Sequence, residues 1–381
     1  MRTLASALIS ACALAVGLSA PAQVPVQQLT YRGFSVVRQA DLEPTLNRYS
    51  AGGYRLVAIA AEPGGNVLAV MEQLPPQSPV REYRALFGGW AHLRGLHNEI
   101  PIVLQMNEAG AQGYRFFPAS VVFESGAAAA VVMEKDLDPA ARYAYRVFSP
   151  QFETAHRFEQ DALQGEAEGF HVVFHGSAGR GPSTLMEKRT DSPVSVDPGS
   201  NRFRTLPAKD ISRKLQEQVN EGYVPMRSSV WLDINTIQHA LWFQKSRAAD
   251  LRLVNYEAEF HQREANPDSG AGEFVQKLNE AAAQGYRIVA PPVRISYVKP
   301  AFRVHWIASF NGVMLRSPGA PPVTYRYLVG LSLPELVSQM NDAAAEGFRV
   351  VPDSLGHDGS ILLERVQAER VQAAVSGGGA P

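Results

Sequence analysis

Leu278 to Pro291 reads LNEAAAQGYRIVAP, and near copies stand at Met106 (MNEAGAQGYRFFPA) and Met340 (MNDAAAEGFRVVPD). Aligned on its glycine, the pattern recurs at Gly53, Gly113, Gly169, Gly222, Gly285 and Gly347, at intervals of 53 to 63 residues, so the chain counts six units. An aromatic residue follows each glycine: Tyr54, Tyr114, Phe170, Tyr223, Tyr286 and Phe348. Eleven and seven residues before it stand the pairs Leu42/Leu46, Ile102/Met106, Phe158/Ala162, Ile211/Leu215, Phe274/Leu278 and Leu336/Met340. A spacing of four puts both members of a pair on one face of a helix. The motif therefore predicts the end of an amphipathic helix, with the glycine just beyond it in the left-handed conformation that strains any residue with a Cβ. Asp41, Asp210 and Ser332 are placed to cap helix starts, and Ser332 with Glu335 has capping-box spacing.

Around each helix the chain turns β-rich. A strand precedes it (YRGFSVV from Tyr31, YRALF from Tyr83, YRVF from Tyr145, FRTL from Phe203, LRLVNYEAEF from Leu251, YRYL from Tyr325). Two follow it, the second ending in forms such as VLAVMEQ, AAVVMEK, STLMEK, HALWFQK and ILLERV. The expected fold is α+β: six tandem β-α-β-β modules with antiparallel sheets and helices packed on one face. Pro-, Gly- and Ser-rich joints divide the chain into modules 23–76, 77–138, 139–192, 193–248, 249–318 and 319–367, with a disordered tail over 368–381. A lone unit is near the lower size limit for a stable core, so neighbours are expected to share theirs.

The 381 residues are 45% hydrophobic and 19% charged with a net charge of -1, which leaves no strong field for nucleic acid. The first 22 residues carry Arg2, an apolar run from Leu4 to Ala20 and a small-residue site at Ala20-Pro21-Ala22, the pattern of a secretory signal peptide. A periplasmic or secreted location is expected, with no transmembrane segment in the mature chain. The single cysteine, Cys12, lies in that leader within an apolar run that continues past it, unlike a lipoprotein site. A chain cleaved after Ala22 has no thiol for disulfides, catalysis or metal.

The unit resembles domain-of-unknown-function family 4177, small bacterial domains with a leading strand, a helix ending in Leu-Asn before a Gly-Trp step, and two strands closing on a basic residue. Leu46-Asn47, Met106-Asn107, Leu278-Asn279 and Met340-Asn341 match the helix part, with Tyr or Phe in place of Trp. The resemblance covers nearly all of the mature chain and implies no activity.

Arginines recur on two strands: Arg32, Arg84, Arg146, Arg204 and Arg326 on the first, Arg55, Arg115, Arg287 and Arg349 on the second. Arg32, Arg55, Arg84, Arg115, Arg146, Arg287, Arg326 and Arg349 are the candidate contacts for a small anionic ligand. The competing expectation is that Glu72, Glu134, Glu187 and Glu364 on the third strand hold them in cross-strand ion pairs. Asn47, Asn107, Asn279 and Asn341 are expected to bond neighbouring backbone, since Asn is a mediocre helix former. His171 and His175 sit too far apart on a strand for one metal, and His92, His97 and Glu99 lack HExxH spacing. Gly176 to Thr184 lacks a phosphate-loop ending and reads as a hairpin. No catalytic residue, metal site or cofactor is called for. The expected function is a non-catalytic binding or scaffold protein acting on an envelope or extracellular protein. The alternatives are a receptor for a small anionic ligand in inter-module pockets, or an enzyme with a site assembled between modules, near the inserts at 88–99 and 261–272.

Overall fold

A computed structural model describes residues 29–366, apart from connecting stretches of which the longest are 90–100, 149–159, 192–200 and 262–269. Module 1 is β1 (Tyr31–Val36), α1 (Leu42–Ala51), β2 (Tyr54–Ala61) and β3 (Val67–Gln73). Module 2 is β4 (Tyr83–Gly89), α2 (Pro101–Gly110), β5 (Tyr114–Phe116), β6 (Val122–Glu124) and β7 (Ala128–Lys135). Module 3 is β8 (Tyr143–Phe148), α3 (described over 163–167), β9 (His171–Ala178) and β10 (Gly181–Arg189). Module 4 is β11 (Asn201–Pro207), α4 (Ile211–Asn220), β12 (Tyr223–Pro225), β13 (Ser229–Leu232) and β14 (Ile237–Lys245). Module 5 is β15 (Leu251–His261), α5 (Ala271–Ala283), β16 (Tyr286–Ile288), β17 (Val293–Val298) and β18 (His305–Arg316). Module 6 is β19 (Val323–Leu328), α6 (Leu333–Ala345), β20 (Arg349–Val350) and β21 (Ile361–Val366). The six α+β modules expected from the repeat are thus present, and among the described residues no helix is long and apolar enough to cross a membrane.

In every module the last strand lies in the middle of the sheet, antiparallel to both of its neighbours, as in the order β1-β3-β2. The two outer strands are therefore parallel, and the helix carries the crossover that parallel strands require. All six motif glycines have positive φ, from 84° to 90°, and the helices end on them as the sequence predicts. In module 6 Phe348 N donates to Ala343 O at 2.9 Å, the long bond of a Schellman motif. A basic residue at the end of the central strand reaches the exposed carbonyls of the helix: Lys188 Nζ donates to Glu168 O at 2.7 Å, and Lys135 and Lys245 do the same at Gln112 O and Glu221 O. The Ser332–Glu335 capping box forms. Asp41 and Asp210 make no side-chain cap: Asp41 ends a short 3-10 turn, Gln39–Asp41, and Asp210 faces Arg213 instead. Phe158 and Ala162 lie outside the described residues.

The central strand is buried on both faces because each face meets a different module. In β3, Met71 packs with Leu42 and Leu46 of α1 and with Tyr83 and Val132 of module 2. Its neighbour Val70 packs with Leu336, Met340 and Leu363 of module 6. The same alternation runs through Met133/Val132, Met186/Leu185, Phe243/Trp242, Met314/Val313 and Leu363/Leu362. Six cores result, one at each joint, including a joint between the last module and the first. The modules stack face to face around a closed ring, and each fully buried large side chain contributes about 1.5–3 kcal/mol.

Candidate functional site

The repeated polar residues meet at the joints. Asn47 on α1 brackets the backbone of the next module's first strand: Tyr83 N donates to Asn47 Oδ1 at 2.8 Å, and Asn47 Nδ2 donates to Tyr83 O at 2.9 Å. Asn107 holds Tyr145 in the same way at 2.7 and 3.2 Å, and Asn279 holds Tyr325 at 2.6 and 3.1 Å. Asn341 does this to Tyr31, 310 residues away, at 2.8 and 3.1 Å, and so closes the ring. The asparagines bond backbone as expected, and the backbone belongs to the neighbouring module.

Each held tyrosine reaches back. Its hydroxyl accepts from an amide on the second strand of the preceding module: Leu56 N to Tyr83, Phe116 N to Tyr145, Ile288 N to Tyr325 and Val350 N to Tyr31, at 2.8 to 3.1 Å. In module 1 that amide lies beside a β-bulge at Val57. Tyr145 Oη also donates to Glu187 Oε2 at 3.1 Å, and Tyr31 Oη lies 3.4 Å from Glu72 Oε2. Burial, reinforced by the glutamate, pushes the hydroxyls of Tyr31, Tyr83 and Tyr145 far above the ordinary tyrosine range. Burial pushes Tyr325 up to about 12.

The eight candidate arginines divide into two groups. Arg32, Arg84, Arg146 and Arg326 lie over the aromatic ring that follows the glycine of their own module, at 4.4 to 5.8 Å from its centroid. Arg146 and Arg326 also pair with Glu168 and Glu346, just past the helix, each at 2.5 Å. The third-strand glutamates expected as their partners are elsewhere. In module 4 it is Arg202, not Arg204, that stacks in this place, over Tyr223 at 4.1 Å. In module 5 Arg252 does so over Tyr286 at 5.6 Å. The strand register puts Asn201 and Leu251 where the other modules carry the held tyrosine.

The second-strand arginines stand at the joints. Arg55 pairs with Glu72 at 3.1 Å and Arg115 with Glu187 of module 3 at 2.9 Å, which is the expected ion pairing. Arg287 donates to Pro321 O at 3.0 Å, and its Nε is buried without an acceptor among the described residues. Arg349 is exposed and sits opposite Glu364 in the register.

Arg55 and Arg115 come together on one cavity of about 470 Å³ that crosses modules 1 to 3. Two cations not singled out in the sequence join them: Arg81 and Lys135. Arg81 Nη1 donates to Glu134 Oε1 at 2.9 Å, while its Nε is buried with no acceptor among the described residues. Glu134, Asp136 and Glu187 supply the negative charge, and Leu56, Phe116, Phe117, Leu137 and Val173 the apolar wall. Burial pushes the Glu134 carboxyl up, and Arg81 and Tyr83 partly offset it. Arg81 sits two residues before Tyr83, where modules 1, 3 and 6 have Leu29, Tyr143 and Val323. A lone arginine at a position where no other module carries a charge is the available signal.

His171 Nε2 lies 3.5 Å from Glu187 Oε1. No group of three His, Cys, Asp or Glu suited to a metal occurs among the described residues. β9 and β10 pair antiparallel up to Ala178 opposite Gly181, as a hairpin requires, and the two residues between lie outside the described ones. His92, His97 and Glu99 lie outside the described residues, as does most of the insert at 261–272. Comparison of the chain with protein-family models, with curated proteins and with solved structures finds no match.

Proposed function

We propose that the chain is an exported, non-catalytic binding scaffold of a bacterial envelope or extracellular space, built from six modules of the family 4177 type. The observation that carries this reading is the use made of the repeated side chains. Asn and Tyr of the motif hold module to module and close the ring through Asn341 and Tyr31. What repeats is the frame, and what varies from joint to joint is the surface offered to a partner. The apolar leader before Gln23 supports export. Fractionation of the host and N-terminal sequencing of the recovered protein test it: a chain beginning near Gln23 outside the cytoplasm is expected, and a full-length cytoplasmic chain refutes it.

A second reading, a small-molecule receptor, is favoured by the cavity across modules 1 to 3. There guanidinium groups from successive modules converge on a space of a small ligand's size.

A further inference from the structure

We propose that the cavity across modules 1 to 3 binds a small monoanionic carboxylate with an apolar body. This deepens the binding reading above by naming the ligand's chemistry.

Donor geometry comes first. Among the described residues, Arg55 uses only Nη2 on Glu72, Arg115 only Nε on Glu187, and Arg81 only Nη1 on Glu134. Each guanidinium has five N–H donors. The two Nη groups of Arg115 therefore remain a forked pair that matches a carboxylate bidentately. Both Arg55 and Arg115 are about half exposed, at 45% and 52%, so a ligand reaches them. Arg81 is deeper, with 21% exposed, and carries the unmatched buried Nε. Because that Nε makes no bond among the described residues, turning it toward a ligand acceptor breaks none.

Charge selects the ligand's valence. Four cations, Arg55, Arg81, Arg115 and Lys135, meet four carboxylates: Glu134, Asp136 and Glu187 in the lining, and Glu72, which holds Arg55. Cations and carboxylates balance, so an anion is held by the donors these pairs leave over and not by a net field. A phosphate dianion would bring two charges against the four acids already present, where a carboxylate brings one. Shape selects the body. Phe116, Phe117, Leu137 and Val173 form an apolar wall beside the guanidinium groups, and Leu137 is 55% exposed although large and hydrophobic. A ligand that lays an alkyl or aryl group there covers it.

The site is particular to this joint. The counterparts of Arg81 in modules 1, 3 and 6 are Leu29, Tyr143 and Val323. The second-strand arginine is replaced by His171 in module 3 and Val224 in module 4. Among the described residues, modules 1 to 3 put two second-strand arginines beside a third one from the joint.

The test is calorimetric titration of the full chain with acetate, hexanoate, phenylacetate, the amides of the last two, and inorganic phosphate. Arg81→Leu, which copies module 1, and Arg55→Gln are compared with wild type, and Arg252→Gln serves as a control away from the cavity. Hexanoate or phenylacetate is expected to bind more tightly than acetate, phosphate or either amide. Arg81→Leu and Arg55→Gln should each weaken that binding roughly 10- to 100-fold, as loss of a charge-assisted contact does, while Arg252→Gln leaves it unchanged. If Arg81→Leu does not fold, the half-exposed Arg55 carries the comparison. Absence of saturable carboxylate binding, binding unaltered in the folded variants, or phosphate bound more tightly than any carboxylate overturns the proposal. Those results leave the scaffold reading standing, because that reading falls on export and on ring closure, which are measured separately.

Discussion

Replacing Asn341 by leucine tests whether the ring is closed in solution. Leucine has the same branched skeleton of side-chain heavy atoms and is a better helix former, so α6 itself is not harmed. The substitution removes the bond from Tyr31 N at 2.8 Å and the bond to Tyr31 O at 3.1 Å. Two net hydrogen bonds are worth about 1–3 kcal/mol, and a partly dry Tyr31 peptide raises the cost, so about 2–4 kcal/mol is expected. A six-module array need not unfold in one step, so the readout should be local. Hydrogen exchange at the Tyr31 amide reports the joint directly, and 2–4 kcal/mol corresponds to roughly 30- to 700-fold faster exchange. Asn47→Leu, at a joint between consecutive modules, is the reference and should accelerate the Tyr83 amide by a similar factor. Gln216→Leu is the blank: it occupies the same helix position in module 4, is exposed and bonds only Asn220 within its own helix. If Asn341→Leu leaves Tyr31 exchange unchanged while Asn47→Leu accelerates Tyr83, the last module is not docked on the first and the closed ring is wrong.

Three further outcomes follow from the geometry. A Cβ at Gly110 would press into the carbonyl of Tyr143, so Gly110→Ala should lose about 1–3 kcal/mol by overpacking; at Gly272 nothing lies within 4 Å, so Gly272→Ala should gain up to about 1 kcal/mol, both by denaturant melts. The phenols of Tyr31, Tyr83, Tyr145 and Tyr325 are raised above the ordinary value near 10, the last to about 12. A raised folded value means the contribution is complete below pH ~10 and is lost as pH rises through the folded value, so phenolate absorbance should leave these four silent until the ring opens in strong alkali. Hydrogen bonds from Arg189, then from the Arg142 amide, hold Asp191 down to about 2. Its contribution is present above the unfolded value near 3.8 and fades as pH falls through about 2, so NMR titration should place its midpoint there.

Local chemistry was the part legible in the sequence. A glycine after an apolar i, i+4 pair and before an aromatic residue fixes a helix end without reference to the rest of the chain, and all six glycines take that role. Strand order was not legible, because nothing local tells a third strand to insert between the first two. Register failed where the period-2 pattern is degenerate. NRFRTL puts Arg202 and Arg204 on the same face, and only pairing with β14 shows that Arg202 stacks on Tyr223. The cavity was half legible: Arg55 and Arg115 recur at one position of the repeat, while their meeting with Arg81 and Lys135 depends on which module ends lie side by side.

The joints themselves carry a signal that one sequence can show when its units are compared with an offset. The helix asparagine is missing in modules 3 and 4, where Leu163 and Gln216 stand. The held tyrosine is missing in modules 4 and 5, where the register places Asn201 and Leu251. The central-strand glutamate is missing in the same two modules, replaced by Gln244 and Leu315. The losses coincide only when each helix is matched with the module after it, which is the contact the structure contains. Other contacts hold those two joints. Trp242 Nε1 donates to Thr184 Oγ1 at 2.7 Å between modules 3 and 4, and Ser212 meets Glu257 Oε1 at 2.8 Å and Ser309 Oγ at 3.2 Å between modules 4 and 5. Six interchangeable joints would let any module dock on any other. Two joints built differently give module 4 a single pair of neighbours, and the order of the remaining modules follows from the chain that links them.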